Sequence, residues 1–417
     1  MPKVQRELLM FARAAVLRRA IPIPPARLLP ALGSSAAIDG MTGLVVLSAG
    51  NSYLLHTLGA SAALPAIALT LHSAVKITAS PIAGRLADRS HVAAVLPAVP
   101  ILAGAGLATM LMTNSIGGYL VGLAGLTAGT ATAWILLRHY IGSATTSAER
   151  GNATTWISLA SGGAAAGGFG AGTLLAEITP SAAFVAALAL VFIATVLLNI
   201  VRRTSDSPTR DAGQIKDGRA HVATRRFEFA VLGLIAAGQF AVSGGFLVAF
   251  WPLVLRELDL RSVEIVWPLV PAGALTLVAL ASVARWSRPG RRLTEVAILY
   301  AIVATGLSLT AWTRSPLTLA VAMVFVIPAI AAAMSVVTAA VLDFSRLRRG
   351  TGWALGWLGS AEATGSLAGA GLTGLIIANS GPRGALFTLS ATAAGLACAT
   401  GVALLAGRAR PATQPSP

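Results

Sequence analysis

The sequence is poor in charge: Asp, Glu, Lys and Arg make up 11% of its 417 residues, against roughly 25% in soluble domains. That shortage excludes an ordinary soluble protein of this length. Cysteine is nearly absent, and Cys398 alone allows neither an intramolecular disulfide nor a paired-cysteine redox or metal motif. His56, His72, His91, His139 and His221 lack ligand spacing, so no metal and no cofactor is expected. The formal charge of +16 could suggest nucleic acid, but no basic cluster is interleaved with aromatic residues, and nucleic acid is not an expected partner. No Ser/His/Asp grouping or phosphate loop occurs, and the longest polar stretch is residues 202–226. An enzyme is therefore not expected.

What the sequence has is apolar residues, 55% of the total, in blocks of about 20, the length that crosses a hydrocarbon layer ~30 Å thick. The blocks predict twelve spans: 33–57, 62–84, 92–112, 118–138, 152–175, 180–201, 227–251, 262–284, 294–313, 316–342, 352–378 and 384–406. They are too long and too uniformly apolar for barrel strands, so the predicted fold class is an all-α membrane protein.

Lys and Arg collect in cytoplasmic loops. Of the 31 present, 26 fall in segments on the side of the termini and four (Arg256, Arg261, Arg314, Arg383) on the other, with Lys76 inside a span. Both termini are thus expected in the cytoplasm and the chain in a plasma (inner) membrane, with the lipid bilayer as its solvent. Arg6, Glu7, Arg13, Arg18 and Arg19 interrupt any signal-peptide core. Residues 1–32 then read as a cytoplasmic basic segment, either an interfacial helix or an unstructured leader.

Arg89 and Arg288, Arg150 and Arg349, Gly151 and Gly350, and the triplets starting at Gly170 and Gly369 share one offset of 199 residues. The chain is therefore expected to be duplicated, as a six-helix bundle (33–201), a cytoplasmic linker (202–226), a second bundle (227–407) and a tail (408–417). Parallel repeats of this size are an architecture of transporters whose halves rock around a mid-membrane site. In this layout the sequence resembles the major facilitator superfamily over nearly its whole length. The strongest local likeness is Gly84-Arg85-Leu86-Ala87-Asp88-Arg89, the start of the family's loop motif. The matching loop keeps the motif's ending as Arg288-Pro289-Gly290-Arg291-Arg292, with Ser287 where the acid would stand.

Gly84 permits close helix contact, Asp88 suits a helix N-terminus, and Arg89 can pair with a carboxylate. The resemblance implies a cytoplasmic latch made by Gly84, Asp88, Arg89, Arg288, Gly290 and Arg291, with Asp88 near Thr351 and Gly352. The fifth and eleventh spans are Gly-rich, as closely packed membrane helices are. The fifth resembles the family's antiporter element but has Gly168-Phe169 where Gly-Pro is expected. No charge lies between Tyr119 and Trp134, so the family's arginine early in the fourth span is missing, and no arginine is placed at mid-membrane.

Ionisable groups inside spans are costly and mark function. Asp39, Lys76 and Glu362 stand ~9, ~12 and ~16 Å from the inner ends of their spans at 1.5 Å per residue. Family architecture would bring them together, with Lys76 exchanging between the two carboxylates and so changing their proton affinity. Asn51, Trp134, Gln239 and Trp251 are expected to line the substrate cavity. Their amides and aromatic faces suit an amphipathic or aromatic organic molecule better than a sugar or an anion.

The sequence thus predicts a monomeric secondary transporter, exporting a hydrophobic or amphipathic small molecule against protons. The alternatives are a proton-coupled or facilitative importer and, in another class, a non-transporting membrane sensor or assembly protein.

Overall fold

The computed structural model describes residues 24–60, 64–89, 92–146, 149–205, 222–260, 266–288, 291–346 and 350–408. Helices form and no strand is present among them. A segment in hydrocarbon must satisfy its own backbone, and a helix does so without partners. The helices are α1 (Leu29–Leu44), α2 (Leu64–Arg89), α3 (Ala98–Met112), α4 (Ile116–Ala144), α5 (Arg150–Ile178), α6 (Pro180–Ser205), α7 (Val222–Pro252), α8 (Val266–Trp286), α9 (Arg292–Trp312), α10 (Pro316–Arg346) and α11 (Thr351–Arg408). Eight of the described helices are long and apolar enough to cross a membrane. Large apolar side chains such as Ile101, Val121, Phe192, Leu234 and Leu317 lie exposed on the outside, the surface that lipid would cover.

The all-α membrane class expected from the sequence is the one adopted, but several boundaries move. The break expected between the last two spans is a kink within α11, where Gly381 alone is non-helical (φ 70°, ψ 175°). Glycine takes that left-handed backbone at little cost, and Pro382 follows it. α2 continues through Arg89, so the segment from Gly84 is its last turns and not a loop. α4 continues past the expected end at Arg138 to Ala144. The linker narrows because α6 runs to Ser205 and α7 begins at Val222. The basic N-terminal segment before residue 24, and residues 206–221 of the linker, lie outside the described residues.

One core cluster lies within residues 28–201 and a second within 242–393. A third joins Ala83 and Ile135 to residues between Leu232 and Leu358. Local geometry recurs between the two parts. Beyond α1 the span continues to a π turn, Tyr53–Thr57, in which Leu58 N donates to Tyr53 O and Ala60 N to Leu54 O; directly after α7 the π turn Leu253–Glu257 has Leu258 N on Leu253 O and Leu260 N on Val254 O. Ser115 caps α4 by accepting from Gly118 N, as Ser315 does from Thr318 N at the start of α10. Close packing of α1 on α5 is likewise built on small residues, since a Cβ on Gly43 or Gly168 would strike the facing backbone.

Candidate functional site

The ends of α2, α4, α8 and α10 and the starts of α5, α9 and α11 meet at one end of the bundle, called the basic end for the arginines it holds. There the Asp88 carboxylate accepts from two backbone N–H groups at the start of α11, Gly352 N to Oδ1 at 2.8 Å and Trp353 N to Oδ2 at 2.7 Å. These are unsatisfied donors of a helix N-terminus, where a negative charge is worth ~0.3–1 kcal/mol. The approach depends on Gly84, because a Cβ there would meet Gly352 O and come within 3.1 Å of Gly356 Cα. Gly84→Val is expected to cost ~1–3 kcal/mol in this packing, and Asp88→Asn ~1 kcal/mol, roughly a fivefold shift in a closed–open equilibrium. Transport rates in reconstituted vesicles check both. An Asp88→Asn protein with the parent rate would remove Asp88 from the working cycle.

The rest of the expected latch is not drawn into this contact. The side chains of Arg89, Arg288 and Arg291 are exposed, and they form no ion pair within 4.0 Å among the described residues. Gly290 lies outside the described residues.

A second joint at the basic end was not anticipated. Asp343, near the end of α10, accepts from Arg150 of α5 at 2.8 Å through Oδ1 and from Arg292 of α9 through Oδ2. Arg150 also donates to Leu342 O at 3.3 Å, and Arg292 to Ala339 O. The two arginines are only 1% and 4% exposed. The sequence shows Arg150 in the repeat and Arg292 in the second loop motif, and one acid ties them together across the two parts of the chain. Beside this joint Thr155 Oγ1 lies 3.4 Å from Leu280 O and 3.5 Å from Ser335 Oγ. Farther along α5, a Cβ added to Gly162, Gly163, Gly167 or Gly170 would meet nothing within 4 Å, and neither would one on Gly273 of α8. Outside the spans, Glu149 accepts from Thr146 N at 2.9 Å and sits 3.7 Å from Arg27. That backbone bond holds its carboxyl below the usual range.

Deeper in, charged side chains gather between α1, α2, α4 and α11. Glu362, about three turns into α11, is 6% exposed. Arg138 is 5% exposed, and its guanidinium carbon lies 3.8 Å from the centre of the Trp134 ring. Arg138 interacts electrostatically with Glu362 first and Asp39 second. Glu362 interacts with Arg138 and then Lys76.

These four groups form no ion pair within 4.0 Å. Nε and Nη1 of Arg138 are buried without a hydrogen-bond partner. A buried donor left unsatisfied costs ~1–3 kcal/mol, and more when charged. Asp39 is held toward α5 by Ser35, whose Oγ lies 3.5 Å from Asp39 Oδ2 and 2.7 Å from Ser161 Oγ. His72, one turn from Lys76 on α2, is bonded through Nδ1 to Thr127 Oγ1 at 2.9 Å.

The structure thus sets Asp39, Lys76 and Glu362 around Arg138, a residue the sequence reading had counted at a span boundary. α4 does not end at Arg138: the helix runs on to Ala144, so Arg138 is a buried residue inside it and not a boundary charge. Trp134 lies in this cluster. Gln239 does not: it is 2% exposed, and its amide is used by Tyr300 Oη at 3.2 Å and Ile330 O at 3.3 Å. The side chains of Asn51 and Trp251 lie outside the described residues.

Residues 32–353 match the model of the family described as Major Facilitator Superfamily. No curated protein matches the chain. Among solved structures, the human organic anion transporter MFSD10 (TETRAN) is similar with a TM-score of 0.70 at 16% identity, covering 91% of this chain and 100% of that one. FucP, a Major Facilitator Superfamily transporter crystallised in the outward conformation, is similar with a TM-score of 0.61 at 13% identity, covering 92% of this chain and 99% of that one. At these identities the likeness is one of fold.

Proposed function

Because the chain belongs to the Major Facilitator Superfamily and is a multi-pass membrane transporter, we propose that it moves an amphipathic small organic molecule by alternating access, coupled to protons. The observation that carries this reading is a buried carboxylate, Glu362, facing Arg138 and Lys76 without an ion pair where the two parts of the chain meet. A carboxylate in that setting can exchange its cation for a proton, and the exchange would bias which end of the bundle is open. The Asp88 and Asp343 joints hold the basic end shut. By the distribution of Lys and Arg, that end faces the cytoplasm of a plasma membrane and carries both termini.

Efflux against proton entry is the direction the sequence pointed to. One observation supports the second reading, in which solute and proton move together. Asp39 and Glu362 balance Arg138 and Lys76, so a proton on either acid leaves a positive charge in the cluster. The experiment is purified protein in liposomes with an imposed pH gradient, screened against amphipathic compounds. Movement of a compound opposite to protons supports exchange and movement with them supports co-transport. No gradient-driven movement of any compound, under conditions where the protein is folded, overturns the transport reading for this panel and points to the sensor or assembly alternative.

A further inference from the structure

We infer that Arg138, stacked on Trp134, is the docking point for the carboxylate of an amphipathic organic acid. This rests on the transport reading above and names its substrate class. A guanidinium is planar and presents its N–H groups in a fork that fits a carboxylate edge-on. In most buried settings a neighbouring acid fills that fork. Here two acids are near, Glu362 on α11 and Asp39 on α1, yet neither comes within 4.0 Å of Arg138. The indole of Trp134 holds one face of the guanidinium at 3.8 Å, while Nε and Nη1, each of which forms a fork with Nη2, have no protein acceptor.

The remaining polar groups around the cluster leave the fork alone. Ser35 is engaged with Ser161 and Asp39, and His72 with Thr127. Tyr300 of α9, which interacts electrostatically with Glu362, donates to Ile235 O and Gln239. Lys76 of α2 supplies a second positive charge toward Glu362. The cluster contains two cations and two carboxylates, so once one acid is protonated a monoanion restores neutrality. The apolar or aromatic body of such a ligand would lie along the Trp134 side, where it adds contact without a further polar demand.

The test uses the full-length purified protein and matched acid and amide probes: octanoate and octanamide, 3-indolepropionate and 3-indolepropanamide, 1-naphthylacetate and 1-naphthylacetamide. A ligand that binds the folded state raises its thermal midpoint in proportion to affinity. At least one acid is expected to bind ~10-fold tighter than its amide, as charge-assisted bidentate pairing requires. Arg138→Gln should abolish that preference. If Arg138→Gln does not fold, Arg138→Lys keeps a charge but loses the fork, and the preference should fall several-fold.

Acids that bind no better than their amides, or a preference that survives Arg138→Gln or is undiminished in Arg138→Lys, would overturn the inference. Failure of the transport reading looks different: acids would bind selectively, yet a pH gradient would move neither acid nor amide in vesicles.

Discussion

Glu362→Gln is expected to abolish accumulation driven by a pH gradient while leaving downhill exchange of the same compound intact. Glutamine keeps the size and polarity of the side chain and can neither ionise nor take up a proton, so the packing at α11 survives and the coupling does not. A one-unit gradient is worth ~1.4 kcal/mol per proton, or a tenfold concentration ratio, and the variant should reach a ratio of about one. Counterflow without a gradient provides the internal control for folding. Full gradient-driven accumulation in Glu362→Gln would remove Glu362 from the mechanism and move attention to Asp39, the other acid facing Arg138.

Asp343→Asn is expected to open the basic end. Asp343 has a side chain 22% exposed and serves two arginines that are nearly fully buried. Taking its charge away leaves two guanidiniums close together with no acid between them, and breaking a buried pair in this way costs ~3–5 kcal/mol. That corresponds to a shift of ~150- to 5000-fold in the equilibrium that the joint controls. Since Arg150 and Arg292 reach Asp343 from different parts of the chain, the loss falls on the closed arrangement more than on either bundle alone.

A cysteine at Thr155, which is buried beside the joint between α5 and the residues Leu280 and Ser335, reports it. With Cys398 first replaced by serine, Thr155→Cys should resist a water-soluble maleimide in the parent and react with it in Asp343→Asn. Equal protection in both would show that the ion triad does not hold the end shut.

Much of the fold was legible because the bilayer simplifies the physics. Blocks of apolar residues near 20 long can only be helices, and Asp39, Lys76 and Glu362 stood out because polar groups inside such blocks are costly. Gly84 and Asp88 were legible for a local reason, a small residue and an acid at spacing suited to a close helix contact. Residues at block ends were harder. Arg138 could be a boundary charge or a buried one, and only the course of α4 to Ala144 decides it.

Arg150 and Arg292 counted correctly toward the basic side, but that count says nothing about whether a charge is solvated, and both are buried. Asp343 drew no notice because its partners are distant in sequence, and helix ends that meet across the bundle leave no local pattern. Gln239 was misleading for the opposite reason. Its amide suits a cavity, but in the structure it joins α7 to α9 and α10.

The central claim is that the two parts of the chain close alternately at the two ends of the bundle. Spin labels on a Cys398→Ser background test it directly by distance measurement. One pair at Ser143 and Arg285 would report on the basic end and one at Asn114 and Arg314 on the other, all four sites being exposed. As pH is lowered or a transported compound is added, the account expects one distance to lengthen while the other shortens. Distances that stay fixed at both ends, or that lengthen together, would contradict it.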